Sequence, residues 1–145
     1  MLYVDTSALL PYYRAEASSA AIESLLLAQT QPVLISDLAR VEFASALARW
    51  VRMEELSQPQ ANQVESAFYE DVREGRFHVI QLTHACYERA MHWLLMRRTS
   101  LRTLESLHLA CAEAAEARLL TLDGALFEAA QYLGVATFSL DVDGW

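Results

Sequence analysis

The sequence predicts an α/β fold, a three-layer α/β/α sandwich around a short, mostly parallel central sheet. Short apolar runs alternate along the chain with longer segments of helical periodicity, and this alternation is typical of a parallel sheet covered by helices on both faces. The chain has 145 residues, of which 54% are hydrophobic, so it is the size of one domain and can bury a proper core. We therefore expect residues 1–145 to form a single domain.

Five runs are predicted as strands because each is short, apolar and bounded by polar or turn residues. They are Leu2–Val4, Val33–Ile35, Phe77–Leu82, Leu119–Leu122 and Ala136–Leu140. No internal repeat or linker interrupts the order of these runs. The chain should therefore build one continuous sheet.

Seven segments between or beside these runs carry helical periodicity. They are Ser7–Arg14, Ser18–Ala28, Asp37–Arg52, Ser57–Glu74, Thr83–Arg97, Thr103–Ala117 and Gly124–Leu133. Pro11 should make the first helix irregular or delay its start, because proline lacks the amide hydrogen that a helix interior needs. Asp37 is expected to cap the third helix, and Gly134 to end the last one.

The charge of the chain restricts its chemistry and its partners. A net charge of −8 argues against a surface that coats nucleic acid generally, so a polyanionic substrate would need positive charge close to its site. All 11 basic residues are arginine, which excludes Schiff-base chemistry and the lysine of a Walker A loop. A phosphoacceptor receiver domain is disfavoured for the same reason, because its active site uses a lysine.

The remaining composition predicts a soluble cytoplasmic protein. No apolar stretch approaches the roughly 20 residues that a membrane span needs, and the N-terminus lacks the basic region and cleavage site of a secretory signal. Cys86 and Cys111 lie in helical patterns without metal-ligand spacing. Buried thiols are therefore expected rather than a disulfide or a zinc site.

Two aspartates follow predicted strands directly. Asp5 closes the run Leu2–Val4, and Asp123 follows Leu119–Leu122. Ligands of open α/β sheets bind at the carboxyl ends of the strands, so these two carboxylates could converge at one edge of the sheet.

Two glutamates lie on apolar helix faces. At 100° per residue, Glu105 shares a face with Leu109 and Ala112, and Glu42 lies in line with Leu38 and Ala46. Burying a lone carboxylate costs several kcal/mol or forces its protonation, so both side chains need a cation.

Together, Asp5, Glu42, Glu105 and Asp123 predict a metal site, with scattered capping and surface acids as the alternative. Two carboxylates about 4 Å apart repel by roughly 4 kcal/mol at an effective dielectric of 20, so a cluster of four requires a counterion. Ligands that offer only oxygen fit Mg²⁺ or Mn²⁺ better than zinc.

Other polar side chains lie beside these acids. Thr6, Ser7 and Thr121 flank the strand ends, where they could cap helices or hydrogen-bond a metal ligand or a metal-bound water. His108 forms a Glu-x-x-His motif with Glu105, but a di-iron helical bundle needs two such motifs. We therefore expect His108 to be a packed, hydrogen-bonded histidine rather than a ligand.

Three arginines could contact a phosphate near the acids. Arg49 lies two helical turns beyond Glu42 with Arg52 close by, and Arg102 precedes Glu105 by one turn. The alternative is that all three are ordinary solvated side chains. Asp141 and Asp143 are interpreted as solvated acids of the tail.

Four segments of the chain resemble the PIN-domain ribonucleases, specifically the VapC-type toxins of bacterial and archaeal toxin-antitoxin pairs. They read YVDTSAL at 3–9, ISDLARVE at 35–42, LRTLESLHLA at 101–110 and TLD at 121–123. Each motif is modestly specific alone, and four in the right order make a strong match that runs almost end to end. The resemblance implies that Asp5, Glu42, Glu105 and Asp123 are the acidic metal ligands.

One position departs from the pattern of that family, because the third acidic motif usually carries aspartate where this chain has Glu105. The charge is kept, but the extra methylene moves the carboxylate roughly 1 Å outward, which can alter the metal distance or favour a larger ion such as Mn²⁺. Activity could be lowered as a result.

The resemblance implies a Mg²⁺- or Mn²⁺-dependent endoribonuclease that leaves 5′-phosphate and 3′-hydroxyl ends and acts as the toxin of a toxin-antitoxin module. It also implies a homodimer, and a small antitoxin with a segment that lies in the active-site groove. Trp50 and Trp93 are candidates for dimer contacts, with core burial as the alternative. The competing hypothesis is a catalytically weakened or inactive PIN-like scaffold that acts as an interaction protein.

Overall fold

The computed structural model describes residues 1–140, and in that range it contains one four-stranded sheet and seven helices. The strands are β1 (Leu2–Val4), β2 (Val33–Ser36), β3 (Phe77–Ile80) and β4 (Arg118–Leu120). The helices are α1 (Thr6–Tyr13), α2 (Ser19–Leu27), α3 (Asp37–Arg52), α4 (Gln58–Arg73), α5 (His84–Met96), α6 (Thr103–Ala114) and α7 (Gly124–Leu133). No helix among them is long and apolar enough to cross a membrane.

The sheet is entirely parallel, in the order β3-β2-β1-β4. Tyr3 in β1 pairs with Leu34 of β2 on one side and with Leu119 of β4 on the other. β1 is therefore an inner strand, although it lies at the beginning of the chain. Because all four strands run in the same direction, their carboxyl ends meet at one edge of the sheet.

Each face of the sheet is covered by its own hydrophobic core. The side chains of Leu2 and Val4 enter one core, which is shared with α1, α2, α3 and α4. The side chain of Tyr3 enters the other core, which is shared with α5, α6 and α7. Successive side chains of a strand point to opposite faces, so this division confirms the predicted three-layer sandwich.

The two tryptophans considered for dimer contacts belong to opposite cores. Trp50 is 5% exposed in the first core, and Trp93 is 3% exposed in the second. Both are therefore core residues. Cys86 and Cys111 are free and buried, as predicted, and burial raises the pKa of the Cys111 thiol to about 12.

The predicted fifth strand is wrong as a full strand. Within Ala136–Leu140 only Thr137 forms a parallel bridge, and its partner is Leu119. The Leu119 amide donates to the Ala136 carbonyl at 2.9 Å, and the Leu119 carbonyl accepts from Phe138 at 2.9 Å. Pairing stops there because β4 has only three residues before the chain turns away at Thr121. Asp141 and Asp143 lie outside the described residues.

The start of α1 also differs from the prediction. The helix begins at Thr6 and contains Pro11, so proline neither delays it nor stops it at once. The Asp5 side chain caps the helix by accepting from the Ala8 amide at 3.2 Å. Pro11 removes one helical hydrogen bond, and the helix ends soon afterwards at Tyr13.

The capping residue of α3 is Ser36, not the predicted Asp37. Ser36 has extended backbone angles, φ −113 and ψ 169, which is the conformation of an N-cap. Asp37 is already helical and forms an ion pair with Arg40 at 3.6 Å. Gly134 ends α7 with φ 76, which confirms the prediction for that helix.

Candidate active-site cleft

A cleft of about 420 Å³ opens at the carboxyl edge of the sheet. Its lining comprises Asp5, Thr6, Ser7, Glu42, Arg102, Thr103, Leu104, Glu105, His108 and Asp123. All four acids selected from the sequence are in this lining, although they come from four distant segments. The cleft brings oxygen ligands together where parallel sheets bind their ligands.

Asp5 is the buried acid of the cleft, with 4% of its surface exposed. Its Oδ1 accepts hydrogen bonds from the Ser7 hydroxyl at 2.7 Å and the Ala8 amide at 3.2 Å, and its Oδ2 accepts from the Thr121 hydroxyl at 2.8 Å. Burial raises the pKa of Asp5, and the charge of His108 and these donors offset only part of that rise. A cation close to this carboxylate would relieve the cost of its burial.

The hydroxyls of Ser7 and Thr121 serve Asp5 directly. Besides donating to Asp5, Ser7 Oγ accepts from the Leu122 amide at 2.9 Å, and Thr121 Oγ1 accepts from the Asp123 amide at 3.0 Å. Each hydroxyl therefore links the end of β1 to the segment that follows β4. Of the two roles considered for these hydroxyls, the structure shows hydrogen bonding to the acid rather than helix capping. Thr121 does so from outside the lining of the cleft.

Glu42 is half-buried on α3, and its Oε1 has two partners. The Thr6 hydroxyl donates to it at 2.8 Å, and His108 Nε2 lies 2.5 Å away. Burial acts to raise the pKa of Glu42, but the hydrogen bond and charge of His108, with the bond from Thr6, lower it overall. Glu42 is therefore kept ionised beside Asp5.

His108 is buried, as predicted, and connects Glu42 to the interior of the sheet. Its Nδ1 lies 2.7 Å from the Tyr3 hydroxyl, which in turn donates to Ser36 Oγ at 2.9 Å. Burial raises the pKa of Tyr3, so its hydroxyl stays neutral. Sequence reasoning did not select Tyr3 or Ser36. The only signal for Tyr3 was a polar group within an apolar strand of three residues.

Glu105 and Asp123 line the cleft but hold other partners. Glu105 Oε1 accepts from Arg102 at 3.1 Å, and Asp123 Oδ1 caps α7 by accepting from the amides of Ala125 at 3.0 Å and Leu126 at 3.2 Å. The helix face predicted for Glu105 is buried at Leu109 and Ala112, whereas the Glu105 side chain is 19% exposed.

The donor set fits a hard divalent cation by its chemistry. Within residues 1–140, one carboxylate oxygen each of Glu42, Glu105 and Asp123 makes no hydrogen bond, and all three acids border the cleft that contains Asp5. As the side chains lie, no three histidine, cysteine or acidic residues of that range converge closely enough to hold one ion. The cleft is thus lined by oxygen donors of a suitable kind without being closed around an ion.

The three arginines considered for phosphate contact separate in the structure. Arg102 lines the cleft. Arg49 and Arg52 lie exposed in the last turn of α3, outside the lining. Only Arg102 is therefore placed to meet a phosphate beside the acids.

Residues 2–132 match the PIN domain. The chain belongs to the PIN domain family. This assignment fits the parallel sheet of the structure, and that sheet rules out the di-iron helical bundle as an explanation of the Glu105–His108 motif. No match was found among curated proteins.

Several solved structures have the same fold. VapC20 of Mycobacterium tuberculosis, described as a sarcin-ricin loop cleaving toxin, is 16% identical and has a TM-score of 0.67 over 89% of this chain and 95% of its own. VapBC2 of Rickettsia felis, bound to a DNA fragment from its promoter, is 16% identical and has a TM-score of 0.71 over 97% and 100%. A toxin-antitoxin complex from Klebsiella pneumoniae is 19% identical and has a TM-score of 0.64 over 94% and 97%.

Proposed function

We propose that this PIN domain is a metal-dependent endoribonuclease that hydrolyses RNA phosphodiester bonds and acts as the toxin of a toxin-antitoxin pair. The observation that supports this proposal most directly is the buried Asp5 carboxylate, which shares one cleft with three other acids. A buried carboxylate whose pKa is raised by burial, next to a glutamate whose pKa is lowered, is typical of a functional site rather than of a solvated surface.

In the proposed mechanism, Asp5, Glu42, Glu105 and Asp123 hold Mg²⁺ or Mn²⁺, directly or through water. The ion, when bound, supplies an activated water and neutralises charge that develops on the phosphate. The Ser7 hydroxyl donates to one oxygen of the Asp5 carboxylate, and the Thr121 hydroxyl donates to the other. Products with 5′-phosphate and 3′-hydroxyl ends would follow.

The neighbours of Glu42 have a defined task in this scheme. Thr6 and His108 hold one carboxylate oxygen of Glu42, and the other oxygen makes no hydrogen bond within residues 1–140. Arg102 contributes the positive charge that a scissile phosphate would need beside four acids.

We further propose a homodimer and a small antitoxin partner. Support comes from the structures with the same fold, one of which is described as a toxin-antitoxin complex. The net charge of −8 favours a partner segment that is basic.

The decisive experiment compares RNA cleavage by the wild type, Asp5→Asn and Asp37→Asn, with added Mg²⁺ or Mn²⁺. Asp37 is an exposed acid of α3 that does not line the cleft, so its variant controls for the lost charge. We expect cleavage by the wild type and Asp37→Asn, and at least a 100-fold loss in Asp5→Asn. Cleavage that persists unchanged in Asp5→Asn would refute the proposed site.

One observation favours the alternative, a PIN-like scaffold with a weakened or inactive site. Glu105 is bound by Arg102, and no three potential ligands converge within the described part of the chain. Glu105→Asp tests this hypothesis, because it keeps the charge and shortens the side chain by one methylene. If the site is a working nuclease weakened by the longer side chain, cleavage should rise severalfold; a scaffold would remain inactive in both forms with either ion.

A further inference from the structure

A second hollow, of about 490 Å³, is lined by residues that lie close in sequence to those of the active-site cleft. We call it the arginine hollow, and its lining comprises Arg97, Arg98, Thr99, Ser100, Ala125, Glu128, Ala129 and Tyr132. One wall is the connection between α5 and α6, and the other wall is α7.

Two segments continue from this hollow into the cleft. The connection that carries Arg97 and Arg98 leads directly to Arg102, which lines the cleft. On the other wall, α7 is capped by Asp123 in the cleft and presents Ala125 to the hollow. The two linings share no residue, but the same two segments, residues 97–105 and 123–132, contribute to both.

The charges of Arg97 and Arg98 are not neutralised by an ion pair among the residues that the structure describes. Arg97 and Arg98 are exposed, and neither side chain makes an ion pair, a hydrogen bond or a ring contact within residues 1–140. Arg14, Arg40, Arg76, Arg89 and Arg102 pair with acids, whereas Arg49, Arg52, Arg73 and Arg118, like Arg97 and Arg98, form no ion pair with the rest of residues 1–140. Glu128 is the one acid in the lining of the hollow. Two adjacent free cations are notable on a chain with a net charge of −8.

Tyr132 adds a second kind of contact at the far end of α7. Its side chain is 62% exposed, and it lies on the same wall as Ala125 and Glu128. Asp123 and Tyr132 are separated by about 14 Å along α7, at roughly 1.5 Å per residue, which is a length that a few nucleotides can span.

We propose that the arginine hollow binds the backbone of single-stranded RNA and leads it into the active-site cleft. This inference rests on the proposed nuclease function and names the part of the surface that overcomes the repulsion between an acidic protein and its substrate. Arg97 and Arg98 bind consecutive phosphates, and Tyr132 stacks against a base. RNA is favoured over an acidic protein segment because the hollow combines two cations with an exposed ring and is built on the same two segments as the cleft.

The test measures binding without cleavage, by fluorescence anisotropy of a fluorescein-labelled 12-nucleotide oligouridylate in EDTA. The variant Arg97→Gln with Arg98→Gln removes both charges of the hollow. The matched control, Arg49→Gln with Arg52→Gln, removes two exposed and unpaired arginines of α3 that line neither depression.

At about 0.1 M salt the hollow variant should bind roughly tenfold more weakly than the wild type, and the slope of log K against log salt should shrink by about 1.4, or 0.7 for each lost phosphate contact. The control should stay within about twofold of the wild type, because its charges act only through the long-range field. Tyr132→Ala should weaken binding severalfold without changing the slope, because stacking releases no counterions.

Equal losses in the hollow variant and the control would overturn the proposal, as would a wild type that does not bind the oligonucleotide. A labelled oligoglutamate serves as a second probe. If the hollow variant lost binding to oligoglutamate but bound RNA like the wild type, the hollow would be assigned to an acidic protein segment instead. Because no metal is present, this result is independent of catalysis. The protein could bind RNA through Arg97 and Arg98 and yet cleave no RNA. This result would refute the proposed nuclease activity but not the proposed RNA-binding site.

Discussion

Neutral groups hold Asp5 in place: the hydroxyls of Ser7 and Thr121 and the amide of Ala8. Hydrogen bonds of this kind stabilise the ionised carboxylate, yet they do not offset its burial, and its pKa is raised. Such a residue costs folding free energy near neutral pH. The protein keeps at this position a group that its own fold disfavours, which is expected where function selects the residue.

Asp5→Asn should remove this cost. Since the folded-state pKa of Asp5 is raised, the folded protein holds a proton where the unfolded chain has lost it, and stability falls as pH rises from the ordinary value of 3.8 to the raised pKa. In metal-free buffer the amide variant should lack this fall and be more stable than the wild type above that window. Urea denaturation across the pH range measures both.

Glu42→Gln should change the pH dependence of stability in the opposite direction to Asp5→Asn. The pKa of Glu42 is lowered, so its contribution to stability is present above its ordinary value of 4.5 and is lost as pH falls toward the lowered pKa. If both variants changed the pH dependence in the same direction, the assigned environments of the two acids would be incorrect.

The Tyr3 hydroxyl is predicted to position Glu42 through His108. Tyr3→Phe deletes one oxygen and leaves buried Ser36 and His108 without that partner, which should cost about 1–3 kcal/mol of unfolding free energy. Affinity for Mn²⁺, measured by calorimetry without RNA, should fall about 10- to 100-fold because the support of a ligand is lost.

Tyr12→Phe is the control for this variant, because the Tyr12 hydroxyl makes no hydrogen bond within residues 1–140. If Tyr3→Phe lowered stability but left Mn²⁺ affinity at the level of Tyr12→Phe, the buried contacts would serve folding alone.

For individual residues, the sequence predicted the acids of the cleft better than the residues that hydrogen-bond to them. Asp5 and Asp123 could be found because a strand end is visible in the chain, and Glu42 because helical periodicity places it on an apolar face. Tyr3 and His108 are 105 residues apart, so no local pattern could pair them. Their contact exists only because β1 and α6 pack together in the fold.

The ends of the secondary-structure elements show where local chemistry decides the fold. Ser57 opens α4 with a reciprocal capping box to Gln60, and Gly134 closes α7 in the left-handed region. These local signals agree with the tertiary structure. The predicted N-cap of α3 was one residue too late, at Asp37 instead of Ser36, because serine and aspartate are both good N-cap residues.

The two glycines of α7 make a matched pair for a stability measurement. Gly134 has φ 76 and Gly124 does not have a positive φ, and an added Cβ would meet no atom within 4 Å at either position. Gly134→Ala should destabilise the protein by about 1–2 kcal/mol through backbone strain alone.

Gly124→Ala should be neutral or stabilising by up to about 1 kcal/mol, because alanine restricts the unfolded chain at a helical position. Thermal unfolding of both variants tests the pair. Equal destabilisation would mean that packing, rather than backbone conformation, governs these sites.

The fifth predicted strand shows what an apolar run cannot reveal. The segment Ala136–Leu140 has the composition of a strand, but β4 offers it only Leu119 as a partner. Strand formation depends on the neighbouring edge as well as on the segment, and the length of that edge is a property of the fold.

For the whole molecule, one thin sheet joins two cores. Trp50 reports on the core that contains α1 to α4, and Trp93 on the core that contains α5 to α7. The strands of the sheet contribute side chains to both cores, so neither core can unfold without disturbing the sheet. We therefore expect a single cooperative unfolding transition.

Variants that retain only one of these tryptophans test the cooperativity. Trp93→Phe with Trp145→Phe leaves only Trp50, and Trp50→Phe with Trp145→Phe leaves only Trp93. In each variant, the urea midpoint measured by fluorescence should match the midpoint measured by circular dichroism. Separate midpoints in either variant would show that the two cores unfold independently.

The order of the strands also bears on how the protein is made. Asp5 is synthesised early, whereas Thr121, which holds its Oδ2, follows 116 residues later, and β1 lacks its second neighbour until β4 exists. A nascent chain that ends before β4 has Asp5, Ser7 and the Ala8 amide, but it lacks Thr121, which holds Oδ2 of Asp5, and Asp123, which lines the cleft. For a proposed toxin this arrangement makes translation itself a safeguard, because an incomplete chain cannot assemble the cleft that would attack RNA.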